Sequence, residues 1–164
     1  MSRSPHRPPL SADRPIGDPA DDRLGHARFA ADIARCVAEM TPDDPLVLGL
    51  HGSPGSGRTS VLNMVRRQLE AAGVRVHEIN PWVHGPALAD VLADRVEAAA
   101  GDRVVVMMDD VDRLTVGEWA QLTRLVERSL AVPGAAYVLV FDRSESDPVE
   151  LGRLVQVPFD LPLP

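Results

Sequence analysis

A glycine-rich stretch between residues 52 and 59 has the residue types and the spacing of a phosphate-binding loop. It matches the pattern G-x-x-x-x-G-K-[ST] at every fixed position but one, where Arg58 stands in place of lysine. Glycines let backbone N–H groups point inward around phosphate oxygens, and the helix that follows adds its positive N-terminal end. The residues predicted to bind the phosphates are Gly52, Ser53, Pro54, Gly55, Ser56, Gly57, Arg58, Thr59 and Ser60.

Two side chains of this loop have predicted chemical roles. The hydroxyl of Thr59 is placed to coordinate magnesium, and Arg58 is placed to neutralise the phosphates. Arginine keeps the charge of lysine but presents a broad planar fork instead of a compact point charge. The sequence therefore predicts nucleotide binding more firmly than hydrolysis. The alternative interpretation is a surface loop rich in glycine and serine.

Two carboxylates follow the most apolar segment of the chain. Asp109 and Asp110 come directly after Val104–Met108, and we predict that Asp109 holds the magnesium shell while Asp110 polarises the attacking water. The alternative is that Asp109 and Asp110 simply cap the next turn or helix. We expect Asp112 and Arg113 to form an ion pair that positions this strand end.

Asp142 stands at the end of another apolar segment, 135–141. A polar residue at this place can contact the γ-phosphate or its water when its strand lies between the phosphate-loop strand and the acidic strand. Asp142 is therefore a third candidate catalytic residue, beside Asp110 and Arg58. Plain turn formation is an equal alternative, since aspartate favours turns.

Apolar spacing places these motifs on alternating strands and helices. Apolar or β-branched runs predict strands, and apolar residues at helical spacing predict helices. The predicted strands are 46–50, 74–79, 103–108, 135–141 and 154–159, and the predicted helices are 21–40, 60–72, 86–100 and 116–130. This alternation is typical of an α/β protein with a parallel sheet. Residues 1–20, rich in proline and arginine, are predicted to form a disordered N-terminal tail before one domain over 21–164.

Composition limits the function further. All 17 basic residues are arginine, so lysine chemistry is excluded. A net charge of −7 gives no indication of nucleic-acid binding. A single cysteine excludes an internal disulfide. Neither a signal peptide nor a membrane span is expected, so the sequence predicts a cytoplasmic protein.

These motifs together resemble the KAP family of P-loop NTPases. The resemblance runs from about residue 18 to the C-terminus and rests most on Asn80-Pro-Trp82 and on Asp109-Asp-Val-Asp-Arg113, beside the phosphate loop. It implies a three-layer sheet in the strand order 5-1-4-3-2, with ATP and Mg²⁺ as ligands and ATPase activity. The loop and the acidic strand end correspond to the Walker A and Walker B elements.

Two classes of function stay open at this stage. The first is Mg-dependent ATP hydrolysis coupled to a conformational or assembly change, with a protein partner or a second copy of the chain. The second is a non-hydrolysing nucleotide switch or protein-interaction module, which the arginine at position 58 favours. A kinase is a weaker third reading, because no acceptor-binding segment is evident.

Overall fold

The chain alternates strands and helices. The computed structural model describes residues 14–41, 45–97, 102–142 and 153–162. The strands are β1 (Leu46–His51), β2 (Arg75–Ile79), β3 (Val104–Met108), β4 (Ala135–Phe141) and β5 (Val157–Asp160). The helices are α1 (Ala27–Glu39), α2 (Arg58–Ala71), α3 (Pro81–His84), α4 (Leu88–Glu97) and α5 (Val116–Ser129). Short 3₁₀ turns occupy Pro19–Asp21, Gly85–Ala87 and Val111–Arg113.

The five strands form one parallel sheet in the order β2-β3-β4-β1-β5. Read from its other edge, this is the predicted order 5-1-4-3-2, and the predicted α/β fold with a parallel sheet is confirmed. β4 lies between β1 and β3, so the segments that follow these three strands meet at one edge of the sheet. That edge carries the phosphate loop, Asp109 and Asp142.

The central strand β4 divides the core into two layers. Tyr137, Leu139 and Phe141 pack on the side of α4 and α5, whereas Val138 and Val140 pack on the side of α1 and α2. Alternate side chains of a strand point to opposite faces, so a strand covered on both faces must be apolar throughout. Every residue of β3 and β4 is buried. Because helices cover both faces of these strands, the sheet edge that carries the candidate site is held in place.

The first helix begins later than its apolar spacing predicts. The prediction of 21–40 is wrong at its start, because the Asp22 carboxylate accepts hydrogen bonds from the backbone N–H groups of Leu24, Gly25 and Ala27. Gly25 has φ 77° in this turn. The turn satisfies backbone donors outside a helix, so α1 begins only at Ala27.

The other helix and strand boundaries differ from prediction by a few residues. The predicted helix 86–100 corresponds to α4, preceded by the 3₁₀ turn Gly85–Ala87, while residues 98–100 lie outside the described part. The predicted strand 154–159 corresponds to β5. No helix in the described ranges is long and apolar enough to cross a bilayer.

The N-terminal segment 14–20 contacts α2. The backbone N–H of Ile16 donates to Ser60 Oγ (3.2 Å), and Asn63 Nδ2 donates to the Ile16 carbonyl (3.2 Å). Asp18 forms an ion pair with Arg67 at 2.9 Å. Residues 1–13 of the predicted tail lie outside the described residues. Residues 14–20 therefore run beside the helix that follows the phosphate loop.

Candidate functional site

Three glycines give the loop between β1 and α2 its path. Gly55 and Gly57 have φ of 79° and 96°, a region that other residues rarely adopt. A Cβ added at Gly52 would lie 2.6 Å from Ser56 Oγ and 3.0 Å from Arg58 Cγ, so only glycine fits without movement of these side chains. The glycines at the fixed positions of the sequence pattern thus each have a geometric reason.

The loop leads directly into the N-terminus of α2. Gly57 is the N-cap and Arg58 is the first helical residue. The backbone N–H groups of a first helical turn lack partners within the helix, and the helix dipole adds partial positive charge there. In the described part of the chain, the buried Ser56 Oγ also has no hydrogen-bond partner. The loop therefore offers several donors to an anion.

The Thr59 hydroxyl and the Asp109 carboxylate meet across the sheet edge. Thr59 Oγ1 donates to Asp109 Oδ2 at 2.8 Å, although 50 residues separate them in sequence. Adjacent ligands of an octahedral magnesium ion at 2.0–2.1 Å lie about 3 Å apart, so this oxygen pair fits two neighbouring positions of such an ion. Magnesium usually keeps several waters and takes few protein ligands, which suits a site with one hydroxyl and one carboxylate.

Arg58 points its guanidinium at the acidic turn after β3. Nη1 lies 3.2 Å from Asp112 Oδ2, and Nη2 lies 3.8 Å from Asp110 Oδ1. The expected ion pair between Asp112 and Arg113 is wrong: Arg113 instead contacts Asp110 at 3.2 Å. Asp112 thus pairs with the first residue of α2, whereas Arg113 pairs with the N-cap residue of its own 3₁₀ turn, Val111–Arg113.

Asp110 occupies the centre of this charge network in an unusual backbone conformation. Its φ of 55° and ψ of 35° are left-handed, and its backbone N–H donates to Asp109 Oδ1 at 2.9 Å. Burial raises the pKa of Asp110 above its ordinary value, the Asp109 carboxylate raises it further, and the Arg113 guanidinium opposes both. The strained turn therefore gathers three carboxylates, Asp109, Asp110 and Asp112, around two arginines, Arg58 and Arg113.

Arg113 extends the network to the protein surface. Its guanidinium carbon lies 5.7 Å from the ring centre of Trp82, a cation–π distance. The Trp82 side chain follows β2 and is 47% exposed. Trp119, by contrast, is buried and packs edge-on against Phe141. The polar contacts thus run from the phosphate loop to an exposed tryptophan.

Asp142 follows β4 directly and is buried. β4 pairs with β1 on one side and with β3 on the other, which is the arrangement that the predicted role of Asp142 requires. Beside it, His51 packs edge-on against Phe141 at 4.1 Å between ring centres. The structure therefore brings Asp142 to the same sheet edge as the loop and Asp109.

A cavity of about 740 Å³ adjoins the phosphate loop. It lies between the segment before α1 and the first turns of α2, and Leu24, His26, Ser60 and Met64 contribute to its walls. A Cβ added at Gly57 would lie 3.4 Å from His26 Nδ1 and 3.5 Å from Leu24 Cδ1, so the cavity wall begins where the loop ends.

Sequence reasoning missed His26. Its ring is buried, and Nε2 lies 3.1 Å from the Pro162 carbonyl oxygen. This contact joins the residue before α1 to the segment after β5. Sequence spacing could not predict that His26 lies near Gly57, because the two residues meet only when the segment before α1 packs beside the start of α2. Ser60, predicted to bind phosphate, has an Oγ that accepts a hydrogen bond from the backbone N–H of Ile16.

The fold and this arrangement define a P-loop nucleotide-binding protein. The model of the KAP family P-loop domain matches residues 26–87 and 86–145, and the chain belongs to this family. The predicted resemblance is thereby confirmed, and family membership supports nucleotide binding.

One curated relative is the phage T7 exclusion protein of Escherichia coli (strain K12). It is 32% identical over 83 residues, which cover 49% of this chain but only 11% of that protein. The chain thus corresponds to a small part of the relative's length.

Solved structures share the fold at low sequence identity. A chain of the HORMA:CdnC:Trip13 complex of E. coli MS115-1 superimposes with a TM-score of 0.67 at 14% identity, covering 86% of this chain and 64% of that one. The replication initiator DnaA bound to AMPPCP and single-stranded DNA gives 0.58 at 16% identity, covering 84% and 46%. These similarities concern the fold alone.

Proposed function

We propose that the chain binds ATP with Mg²⁺ and hydrolyses it, and that the reaction drives a conformational or assembly change. The observation that carries this proposal is the contact between Thr59 Oγ1 and Asp109 Oδ2 at 2.8 Å. This contact brings a hydroxyl from the phosphate loop and a carboxylate from the acidic strand end to the separation of two neighbouring magnesium ligands.

The predicted catalytic and metal-binding residues each have a place in this reaction. Backbone N–H groups from Gly55 to Thr59 hold the phosphates, and Arg58 neutralises them. Mg²⁺, when bound by Thr59 and Asp109, supplies positive charge to the phosphate oxygens. Asp110 accepts a proton from the attacking water, whose oxygen bonds to the γ-phosphorus. The bond between the γ-phosphorus and the β–γ bridging oxygen breaks, and ADP leaves. Asp142 contacts the γ-phosphate or the water.

The cavity beside the loop is the proposed place for the nucleoside. Its wall includes the partly exposed apolar side chain of Leu24, which offers a surface for a flat base. We expect Leu24→Ser to weaken binding of ATP but not of inorganic triphosphate, which lacks a base. Val116→Ser is the matched control, because Val116 is 82% exposed and lies at the start of α5. Equal weakening of both ligands by Leu24→Ser would refute this placement.

Calorimetry with ATP, in the presence and absence of Mg²⁺, tests the binding step. Binding in the micromolar range that weakens without Mg²⁺ is expected, and no heat at millimolar nucleotide would refute the proposal. Release of inorganic phosphate tests hydrolysis: Asp110→Asn should abolish it with little change in affinity. Asp90→Asn, an exposed carboxylate on α4, is the control that should leave both unchanged.

A non-hydrolysing nucleotide switch is the second candidate, and one observation favours it. The Arg58 guanidinium contacts Asp112 and Asp110, so part of its charge is already neutralised by protein carboxylates. Binding without turnover, both in the natural chain and in Arg58→Lys, is the result that would favour the switch over the ATPase.

A further inference from the structure

Arg58 and Asp112 form a nearly buried ion pair. Their side chains are 11% and 10% exposed, and Arg58 Nη1 donates to Asp112 Oδ2 at 3.2 Å. The second oxygen, Asp112 Oδ1, is buried and has no hydrogen-bond partner among the described residues. The carboxylate therefore depends on the guanidinium for compensation of its charge.

This dependence limits how Arg58 can serve a phosphate. Removing one partner from a buried ion pair leaves an uncompensated charge, which is strongly unfavourable. Arg58 therefore cannot leave Asp112 without a large penalty. A guanidinium carries five N–H donors in a rigid fork, so it can hold Asp112 with one and offer others to a second anion. A lysine ammonium has no such fixed fork.

We infer that Asp112 is a positioning residue for Arg58. It fixes the plane of the guanidinium over the phosphate loop and takes part of its charge, so that a phosphate shares Arg58 with Asp112. The stem of Arg58 already passes close to Gly52, at the entrance of the loop. This inference rests on the proposed nucleotide binding. It assigns Asp112 a role in setting both affinity and rate.

Two substitutions separate charge sharing from orientation. Asp112→Asn removes the competing charge and should tighten Mg-ATP binding roughly fivefold. The same change frees the guanidinium to rotate, so kcat should fall about tenfold, since small misplacements of a charge donor cost large factors in rate. Asp112→Glu keeps the charge but moves the carboxylate, so affinity should stay within twofold while kcat falls.

The arginine itself is the control for the affinity effect. In an Arg58→Ala background, Asp112→Asn should change the ATP dissociation constant less than about twofold, because the shared cation is gone. Equal tightening in both backgrounds would show that Asp112 merely repels phosphate, and would overturn the inference. A wild-type kcat in both Asp112 variants would overturn it as well.

An unfolding cycle without nucleotide tests the pair independently. Arg58→Ala should lower the unfolding temperature, and adding Asp112→Asn should restore much of the loss by removing the orphaned charge. The exposed pair Arg35 and Asp32 on α1 is the matched control and should show almost no coupling. Additive effects at 58 and 112 would overturn the inference.

Failure of the inference and failure of the proposed function can be told apart. If the natural chain binds ATP and Asp112→Asn fails to tighten it, only the role of Asp112 is lost. If the natural chain binds no nucleotide, both proposals are overturned, whatever the unfolding cycle gives.

Discussion

Replacing Arg58 with lysine should change stability and activity in opposite directions. Lysine keeps the positive charge, but its single ammonium cannot reproduce the fork that contacts Asp112 at 3.2 Å and Asp110 at 3.8 Å. One hydrogen bond between charged groups contributes about 1.5–3 kcal/mol. At roughly 2–4 °C per kcal/mol for a chain of this size, the unfolding temperature should fall by about 3–12 °C.

The rate of hydrolysis should rise in the same variant. A compact ammonium is the group that the phosphate-loop pattern carries at this position, and it places its whole charge at one point. Because a single well-placed donor changes kcat by large factors, we expect an increase of about tenfold. Phosphate release at saturating Mg-ATP measures the rate, and thermal unfolding followed by circular dichroism measures the stability.

Both outcomes, the lower unfolding temperature and the higher rate, are needed for the reasoning to hold. Unchanged stability would mean that the Arg58 contacts with the acidic turn contribute nothing, and a lower rate would mean that the guanidinium suits the reaction better than lysine. Arg66→Lys is the matched control, because Arg66 pairs with Glu78 in an exposed setting on α2. That change should move the unfolding temperature by less than about 2 °C.

Four further predictions concern the metal, a helix cap, the pH dependence of stability and the core. Thr59→Val should remove the Mg²⁺ dependence of ATP binding in calorimetry, since the hydroxyl facing Asp109 is lost. Thr115→Ala should lower the free energy of unfolding by about 1 kcal/mol in urea titration, since Thr115 caps α5. Hydrogen bonds from Thr115 lower the pKa of Glu118, so this carboxylate stabilises the fold at neutral pH and loses that contribution as the pH falls below 4.5. A Glu118→Gln variant should therefore show a smaller loss of stability on acidification. Leu139→Ala, at a fully buried position of β4, should cost about 2–5 kcal/mol in the same titration.

Local sequence patterns were enough to predict the strands of a parallel sheet and the loop, whereas the strand order came from the family resemblance. β3 and β4 are apolar because both their faces are covered, and that burial produces the continuous runs that the sequence displays. The loop is recognisable because Gly55 and Gly57 need positive φ and Gly52 needs space. The contact between Thr59 and Asp109 follows once both motifs stand at the same sheet edge.

Such patterns could not predict contacts between segments that are distant in the sequence. The cavity wall forms because Ile16 bonds to Ser60 across 44 residues, and neither residue carries a sign of the other. Asp112 pairs with Arg58, 54 residues away, although Arg113 is its neighbour in the sequence. Sequence spacing does not fix the direction of the Asp112 side chain. The sequence alone therefore could not decide whether Asp112 pairs with Arg58 or with Arg113.

The absence of lysine bears directly on the Arg58 and Asp112 pair. In a chain whose 17 basic residues are all arginine, the loop position that usually carries lysine must work with a guanidinium. A guanidinium placed near phosphates without a second anchor would have several orientations of similar energy. The buried Asp112 carboxylate removes that freedom, at the cost of sharing the charge. Asp112, which belongs to the acidic motif of the family resemblance, thus anchors the guanidinium that stands in this chain, and substitution of Asp112 should reveal this role.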